Sequence, residues 1–397
     1  MGIISNGTTM LDQGAFVGLA SIDWDTTAKT ASFTAVSGNG YFVNTTSGAI
    51  TVTLPAGSAG DIVGISDYAS TFQTNNVTIT PNGTDKINGI NDSAILSTQG
   101  IAVSLVYVDS TRGWKSVTGS DNDTTGAAFI TATGGTITCC GDYKIHTFTG
   151  PGTFCVSSVS GSAPFNEISY IVLAGGGGGS ADNTVPQGGA GGGAGGFRES
   201  KSGVDCYSAS PIEGATNITV TATAFPITVG AGGAGSPARG APGSNSVFST
   251  ITSAGGGTGG VYINNPGDAG GSGGGGGAGG GGGGAGNTPP VSPSQGNSGS
   301  ASQGPGTPGA GGGAGGAGSG ITGGVGVTTS ITGSATAYAG GGANGTSGGC
   351  YGSPCGTGGD RGGDGTVNRG AGGGGNCNPA GGGDGSSGIV IIRYKYQ

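Results

Sequence analysis

The chain has 397 residues, of which 101 are glycine and only 8% are charged, and its formal net charge is −8. Such a composition offers no basic surface that could displace counterions from a nucleic-acid backbone, so nucleic-acid binding is not expected. No apolar run approaches 18 residues, which argues against membrane insertion. Few charges also distinguish the chain from typical disordered sequences and favour an ordered protein.

The first part of the chain reads as a small β domain. Short runs rich in Val, Ile, Thr and Tyr alternate with turn dipeptides such as Asn39-Gly40 and Asn88-Gly89. This pattern predicts an N-terminal β-sandwich module over residues 1–120, with Trp114 as a core aromatic of its closing strand. The polar stretch 121–127 is predicted to be a linker. The runs with the clearest strand pattern are Tyr41–Val43, Ile50–Leu54, Ile62–Ile65, Val77–Ile79 and Val103–Val108.

The second part, residues 128–397, contains most of the glycines, which reach about a third of all residues after Tyr170. Short β-like islands interrupt the glycine runs. Two apolar segments, Ile168–Ala174 and Ile389–Tyr394, lie before and after the glycine-rich region. We predict that they are neighbouring strands of one sheet, so that the β unit encloses the glycine-rich region.

The glycine runs require an unusual source of order, because fixing each glycine costs more backbone entropy than fixing any other residue. Without Cβ atoms, extended helices with three residues per turn can lie side by side and hydrogen-bond laterally. We therefore predict a bundle of polyglycine-II helices, which makes the fold all-β with a polyglycine-II domain.

Four segments carry a family resemblance: Ile168–Gly179, Gly188–Arg198, Asn245–Gly257 and Ser387–Tyr394. Together they resemble the glycine-rich domain of phage structural proteins, as found in marine and cyanobacterial phages. Residues Thr30–Trp114 look like the small β module that precedes such domains in phage fibres, and this resemblance implies a trimeric or virion-bound module at the N-terminus. It also implies that the loops between the polyglycine helices touch the host, and that Phe197 and Arg198 are structural.

The sequence contains few residue patterns that indicate catalysis or cofactor binding. GxGxxG patterns are numerous, but none lies between a predicted strand and helix, so a dinucleotide site is not expected. His146 is the only histidine and fits an alternating strand, which favours a hydrogen-bonded core residue over a catalytic one. Gly-Asp-Gly at Asp364 and Asp384 favours turns over calcium sites. We expect no catalytic residue, cofactor or metal ion.

Specificity would then reside in the bulkier stretches between glycine runs, where exposed aromatic residues give contact area at low entropy cost. Solvated turns are the alternative for each stretch. Seven cysteines leave at least one unpaired within a chain, and Cys350 with Cys355 is the candidate disulfide. The candidate receptor-contact residues are Asp182, Asn183, Val185, Tyr262, Asn264, Asn265, Asn344, Tyr351 and Asn376.

These features predict a bacteriophage tail-fibre or tip adhesin. Its partners would be a bacterial surface receptor, either a saccharide or an outer-membrane protein, and other virion proteins. Residues 1–6 lack the regions of a secretory signal, so assembly in the host cytoplasm and exposure on the virion are expected. One alternative is a virion decoration protein that binds no receptor. An ice-binding or matrix protein is a further alternative, although its regular flat face fits the sequence less well.

Overall fold

The computed structural model describes residues 22–117, 129–160, 163–181, 188–345, 357–377 and 380–396, and the backbone of three short strands before residue 17. The chain forms two compact units, one of Met1–Ala128 with Ser160–Ala163 and the other of Phe129–Val159 with Pro164–Gln397. The predicted linker 121–127 lies outside the described residues. In the part of the chain that the structure describes, no helix is long and apolar enough to cross a membrane.

The first unit is a β-sandwich, as predicted. A five-stranded sheet, in the order β12-β11-β8-β6-β4, faces a four-stranded sheet, in the order β10-β9-β7-β5. The two sheets share one apolar core, in which Trp114 of β12 is fully buried. The strands are β1 (Ile3–Ser5), β2 (Thr8–Asp12), β3 (Ala15–Phe16), β4 (Asp23–Lys29), β5 (Phe33–Thr34), β6 (Asn39–Val43), β7 (Ile50–Thr53), β8 (Ile62–Asp67), β9 (Val77–Thr80), β10 (Ala94–Leu96), β11 (Ala102–Tyr107) and β12 (Trp114–Ser116).

The connections in this unit differ from the hairpins that the turn dipeptides predict. From β4 to β9 the chain alternates between the two sheets, so that strands two apart in sequence pair in parallel. Asn39-Gly40 begins strand β6, and a Cβ on Gly40 would lie 2.6 Å from side-chain atoms of Ile22 and Trp24. The glycine therefore permits close packing within the sheet. Asn88-Gly89, in contrast, forms the predicted tight turn, with φ of 54° and 91°.

The second unit is built on two large sheets and a two-stranded sheet of β23 and β24, with apolar cores on both sides of the second large sheet. Strands β13-β16-β20-β21-β22 form the first sheet and β14-β15-β25-β17-β18 the second, with β19 paired to β17. The strands are β13 (Thr131–Thr133), β14 (Thr136–Cys140), β15 (Tyr143–Phe148), β16 (Gly152–Ser158), β17 (Glu167–Leu173), β18 (Phe197–Ser200), β19 (Ile218–Thr219), β20 (Ala224–Thr228), β21 (Ser246–Phe248), β22 (Ile251–Ser253), β23 (Val327–Thr329), β24 (Thr336–Tyr338) and β25 (Ile389–Lys395).

The predicted pairing across the glycine-rich region is confirmed. Strands β17 and β25 are antiparallel neighbours in register from Ser169 opposite Arg393 to Leu173 opposite Ile389. Both faces of this pair are buried. One face packs against the first sheet, and the other packs against β23, β24 and alanines of the glycine segments. Burial on two faces explains why both segments are almost entirely apolar rather than alternating, with Ser169 and Arg393 as the exceptions.

The glycine segments form laterally bonded helices with a period of three residues. In the segment 174–181, the amides of Ala174, Gly177 and Ser180 all donate to one antiparallel neighbour, and the intervening amides donate to two others. The carbonyls of the same segment accept from three parallel neighbours. The three acceptor segments are 190–196, 238–244 and 383–386, and the three donor segments are 233–236, 256–259 and 373–376.

This arrangement confirms the predicted polyglycine-II architecture. A central helix with three residues per turn directs its amides to three neighbours and its carbonyls to three others, so its backbone groups find partners without water. The close approach requires glycine. A Cβ on Gly177 would lie 2.2 Å from the carbonyl oxygen of Gly257, and one on Gly192 would lie 2.1 Å from that of Gly177.

Candidate functional site

The end of the glycine bundle that lies away from the sheets carries most of the turns between helices. The helix after β17 runs outward to Ala181, and the next one returns from Gly188 to β18. The segment after β22 likewise leads outward to Tyr262 before the chain turns back. We call this end the distal face. A rigid bundle thus presents short loops at a fixed distance from the sheets, which is the usual placement of binding residues.

The loop 261–266 is the best described of the predicted contact loops. The guanidinium of Arg239, from a neighbouring distal turn, donates to the side-chain oxygen of Asn265 and to the carbonyl oxygen of Pro266 at 3.1 Å. It also pairs with Asp268 at 2.5 Å. Three contacts from one planar cation hold the returning arm of the loop. Asn265 is therefore a residue that fixes the loop.

The tip of this loop carries the exposed side chains. Tyr262 is half-buried with its ring over Gly279, whose φ of 89° and missing Cβ leave room for the ring. Ile263 is 60% exposed, and Asn264 is exposed with φ of 57°. The tip thus combines an aromatic residue, an aliphatic residue and a free amide on a held backbone. Such a combination suits contact with another molecule.

The other two described candidates, Asn344 and Asn376, are used inside the bundle. Asn344 is fully buried and its side-chain amide donates to the carbonyl oxygen of Pro308 at 2.6 Å. Asn376 is 7% exposed and donates to the carbonyl oxygen of Gly381 at 2.7 Å. These side chains close turns, so neither offers a free surface for a receptor. The reason is that buried amides in this bundle must find hydrogen-bond partners.

The remaining candidates lie outside the described residues. They are Asp182, Asn183, Val185, Tyr351 and the predicted disulfide pair Cys350 and Cys355. Within the described ranges all five cysteines are unpaired: Cys139, Cys140, Cys155, Cys206 and Cys377.

Two residues of the distal face, Arg239 and Ile263, were not predicted from the sequence. Arg239 lies in a short turn, Ser236 to Gly240, that shows no signal beyond Pro-Ala-Arg-Gly between glycine runs. Ile263 follows Tyr262, and only the aromatic residue of this pair was predicted to contact a receptor. A charged or large apolar residue isolated within a glycine run is the signal that could have indicated both.

The acidic residues of the two Gly-Asp-Gly motifs tie turns together. The carboxylate of Asp384 accepts from the amide of Gly235 at 2.6 Å, and that of Asp364 accepts from the amide of Asp384 at 2.8 Å. This is the turn-forming use that the sequence favours over calcium binding. No cluster of three or more His, Cys, Asp or Glu side chains suited to a metal ion lies within the described ranges.

His146 lies in the core between the two sheets of the second unit, as a hydrogen-bonded strand residue. Its Nδ1 lies 2.7 Å from the carbonyl oxygen of Gly134, so Nδ1 carries the proton. Its Nε2, 3.0 Å from the hydroxyl of Tyr394, then accepts from that hydroxyl. Both nitrogens are engaged and the side chain is fully buried, so this arrangement gives a general base no access to substrate.

Burial lowers the pKa of His146 below its ordinary value, which predicts a loss of stability on acidification. The unfolded chain takes up a proton near pH 6.5, whereas the folded chain does so only at lower pH. We therefore expect the free energy of unfolding to fall between pH 7.5 and pH 5.5, by up to about 1.4 kcal/mol per pH unit below pH 6.5. Denaturant titrations at several pH values would measure this.

The chain contains a single histidine, so a His146→Gln variant is a direct control. Its free energy of unfolding should vary much less over the same pH range. An equal decrease in both proteins would show that other groups cause the pH dependence.

Architecture and loops together define an all-β protein with a laterally bonded glycine-helix domain that carries side chains on its distal turns. Residues 149–395 match the family of glycine-rich domains, which spans more than half of the chain. The chain therefore belongs to this glycine-rich domain family. Among curated proteins, none is significantly similar in sequence to the chain.

Proposed function

We propose that this protein is a bacteriophage tail-fibre or tip adhesin that contacts the host surface through the distal face of its glycine-rich domain. The observation that carries the proposal is the loop 261–266, whose tip presents the half-buried Tyr262 and the exposed Ile263 and Asn264 while Arg239 holds its returning arm. A held loop loses little entropy on binding, so even a small apolar tip can contribute to affinity. The receptor would be a saccharide or an outer-membrane protein.

The bundle itself supports this role. The glycine helices have no side chains with which to recognise a partner, and their backbone groups are already hydrogen-bonded to one another. Sequence variation between related adhesins can therefore be confined to the turns. A scaffold with these properties is suited to binding that changes by loop replacement. The protein would be exposed on the virion, and mass spectrometry of purified particles should detect it.

The experiment is binding of the labelled, full-length protein to a panel of bacterial strains. We expect binding to some strains and at least a ten-fold loss in the variant Tyr262→Ser, Ile263→Ser. Val367→Ser is the matched control, because Val367 is 72% exposed but lies on the turn near β24 at the sheet end. Unchanged binding by the loop variant would contradict the proposal. Binding to no strain, with the protein present in particles, would favour the decoration protein.

We also propose that the first unit forms a homotrimer and attaches to other virion proteins. Large apolar side chains are exposed on this unit, including Trp24 at 37%, Tyr68 at 58% and Val117 at 61%. Among the described residues, strands β4, β5 and β10 each pair with one neighbour only, and association between copies can cover their outer edges. Light scattering should give three times the chain mass of 36.9 kDa. A mass of one chain would exclude the trimer.

A further inference from the structure

Arg198, on strand β18, is a buried cation without an ion-pair partner among the described residues. It is 7% exposed, and its guanidinium makes one hydrogen bond there, to the carbonyl oxygen of Ser292 at 3.3 Å. A guanidinium has five N–H donors in a fixed plane, and burying it unpaired costs free energy. Most of its donor capacity is therefore unused.

The other buried arginine of the same sheet shows what a structural role requires. Arg393 pairs with both carboxylate oxygens of Asp205 at 3.0 Å, donates to the carbonyl oxygen of Ile331 and stacks against Tyr143. Its Nε and Nη1 both donate hydrogen bonds, and its face lies against an aromatic ring. Arg198 is also buried, at 7% exposed against 3% for Arg393, but has no carboxylate partner among the described residues, so the two arginines differ in their local function.

The free side of Arg198 opens into a cavity of about 420 Å³, within the range of small-molecule sites. Strand β18 forms one wall, and the proline-containing loop 287–295 covers it. Gln295, 1% exposed, holds this loop by accepting from the amide of Ala254 and donating to the carbonyl oxygen of Pro289, both at 2.9 Å. The cover is therefore fixed by a buried amide.

The rest of the cavity offers hydroxyl groups and small apolar surfaces. Thr216, Thr250 and Thr252 line it with exposed side chains, and their hydroxyls have no hydrogen-bond partner within the described chain. Ile251 and Val291 add apolar walls. One unpaired planar cation beside three free hydroxyls matches a ligand that has one carboxylate and several hydroxyl groups.

We propose that this cavity is a binding pocket for an acidic monosaccharide or a similar polyhydroxy carboxylate, with the carboxylate paired to the Arg198 guanidinium. The occupant would accept hydrogen bonds from the donors that face the cavity without a protein partner. The pocket lies at the sheet end of the glycine bundle, away from the loop 261–266. The proposal therefore stands independently of receptor contact at the distal face.

The test is calorimetric titration of the full-length protein with glucuronate and, as the uncharged counterpart, glucose. We expect glucuronate to bind and to raise the melting temperature, and glucose to do neither. Arg198→Met, which keeps the chain length and removes the charge, should weaken glucuronate binding at least ten-fold. Without ligand this variant should retain the wild-type melting temperature or exceed it, because an unpaired buried charge is gone.

A second variant keeps the test decisive if Arg198→Met does not fold. Val291→Trp should fill the cavity from its half-exposed cover, abolish glucuronate binding and leave the fold intact. The proposal would be overturned if the wild-type protein did not bind glucuronate. It would also be overturned if both variants bound glucuronate as tightly as the wild type. Binding of sulfate without glucuronate would also overturn it, since a bare anion site would not need the hydroxyl groups.

Discussion

Replacing Gly177 with alanine is expected to destabilise the second unit by about 3 kcal/mol, a large effect for the addition of one methyl group. The new Cβ would lie 2.2 Å from the carbonyl oxygen and 2.7 Å from the carbonyl carbon of Gly257. The obstacle is backbone, which cannot rotate away as a side chain can. Separating the two helices would also lengthen the bond between them from the amide of Gly256 to the carbonyl oxygen of Gly175, now 2.9 Å.

Gly282→Ala is the matched control for this prediction. Gly282 lies in an outer segment of the same bundle, and a Cβ there would meet no atom within 4 Å. Because alanine loses less backbone entropy on folding than glycine does, this variant should be neutral or more stable by up to about 1 kcal/mol. Denaturant titrations of both variants would measure the difference. Similar effects at the two positions would show that backbone contact does not govern the bundle.

The sheets and the bundle could be predicted because local patterns determine them. Ile168–Ala174 and Ile389–Tyr394 are apolar except for Ser169 and Arg393, a pattern that favours burial on both faces and so places the two segments beside each other in the centre. The glycine runs favour one dense arrangement of their backbone groups, the laterally bonded polyglycine-II bundle. This arrangement is the same for any choice of neighbouring helices. Neither inference depends on knowing long-range partners.

The parts that could not be predicted depend on distant partners. Asn344 looks like a loop residue among glycines, but its amide bonds to Pro308, a contact that no local pattern encodes. Arg239 clamps the loop 261–266 from a turn more than twenty residues earlier. The parallel pairing of β4 to β9 similarly requires knowing that the chain alternates between sheets. In each case the local sequence fits two structures equally well.

Breaking the buried ion pair between Arg393 and Asp205 is expected to cost about 3 to 5 kcal/mol, the largest effect of any single side-chain change that we predict. The side chains are only 4% and 2% exposed, and the hydroxyl of Ser169 donates to the same carboxylate at 2.9 Å. Asp205→Asn would leave the guanidinium buried beside Tyr143 without a counter-charge. Chemical denaturation at pH 7 would measure the loss.

The same strand supplies the control. Lys395 of β25 pairs with Asp142 at 3.9 Å, but Asp142 is 58% exposed, so water screens the interaction. Asp142→Asn should therefore change the free energy of unfolding by less than about 1 kcal/mol. The double variant Asp205→Asn, Arg393→Met should be more stable than Asp205→Asn alone, because the penalty arises from the unpaired guanidinium. A double variant less stable than either single one would instead indicate that packing around Tyr143 and Tyr207 depends on the arginine stem.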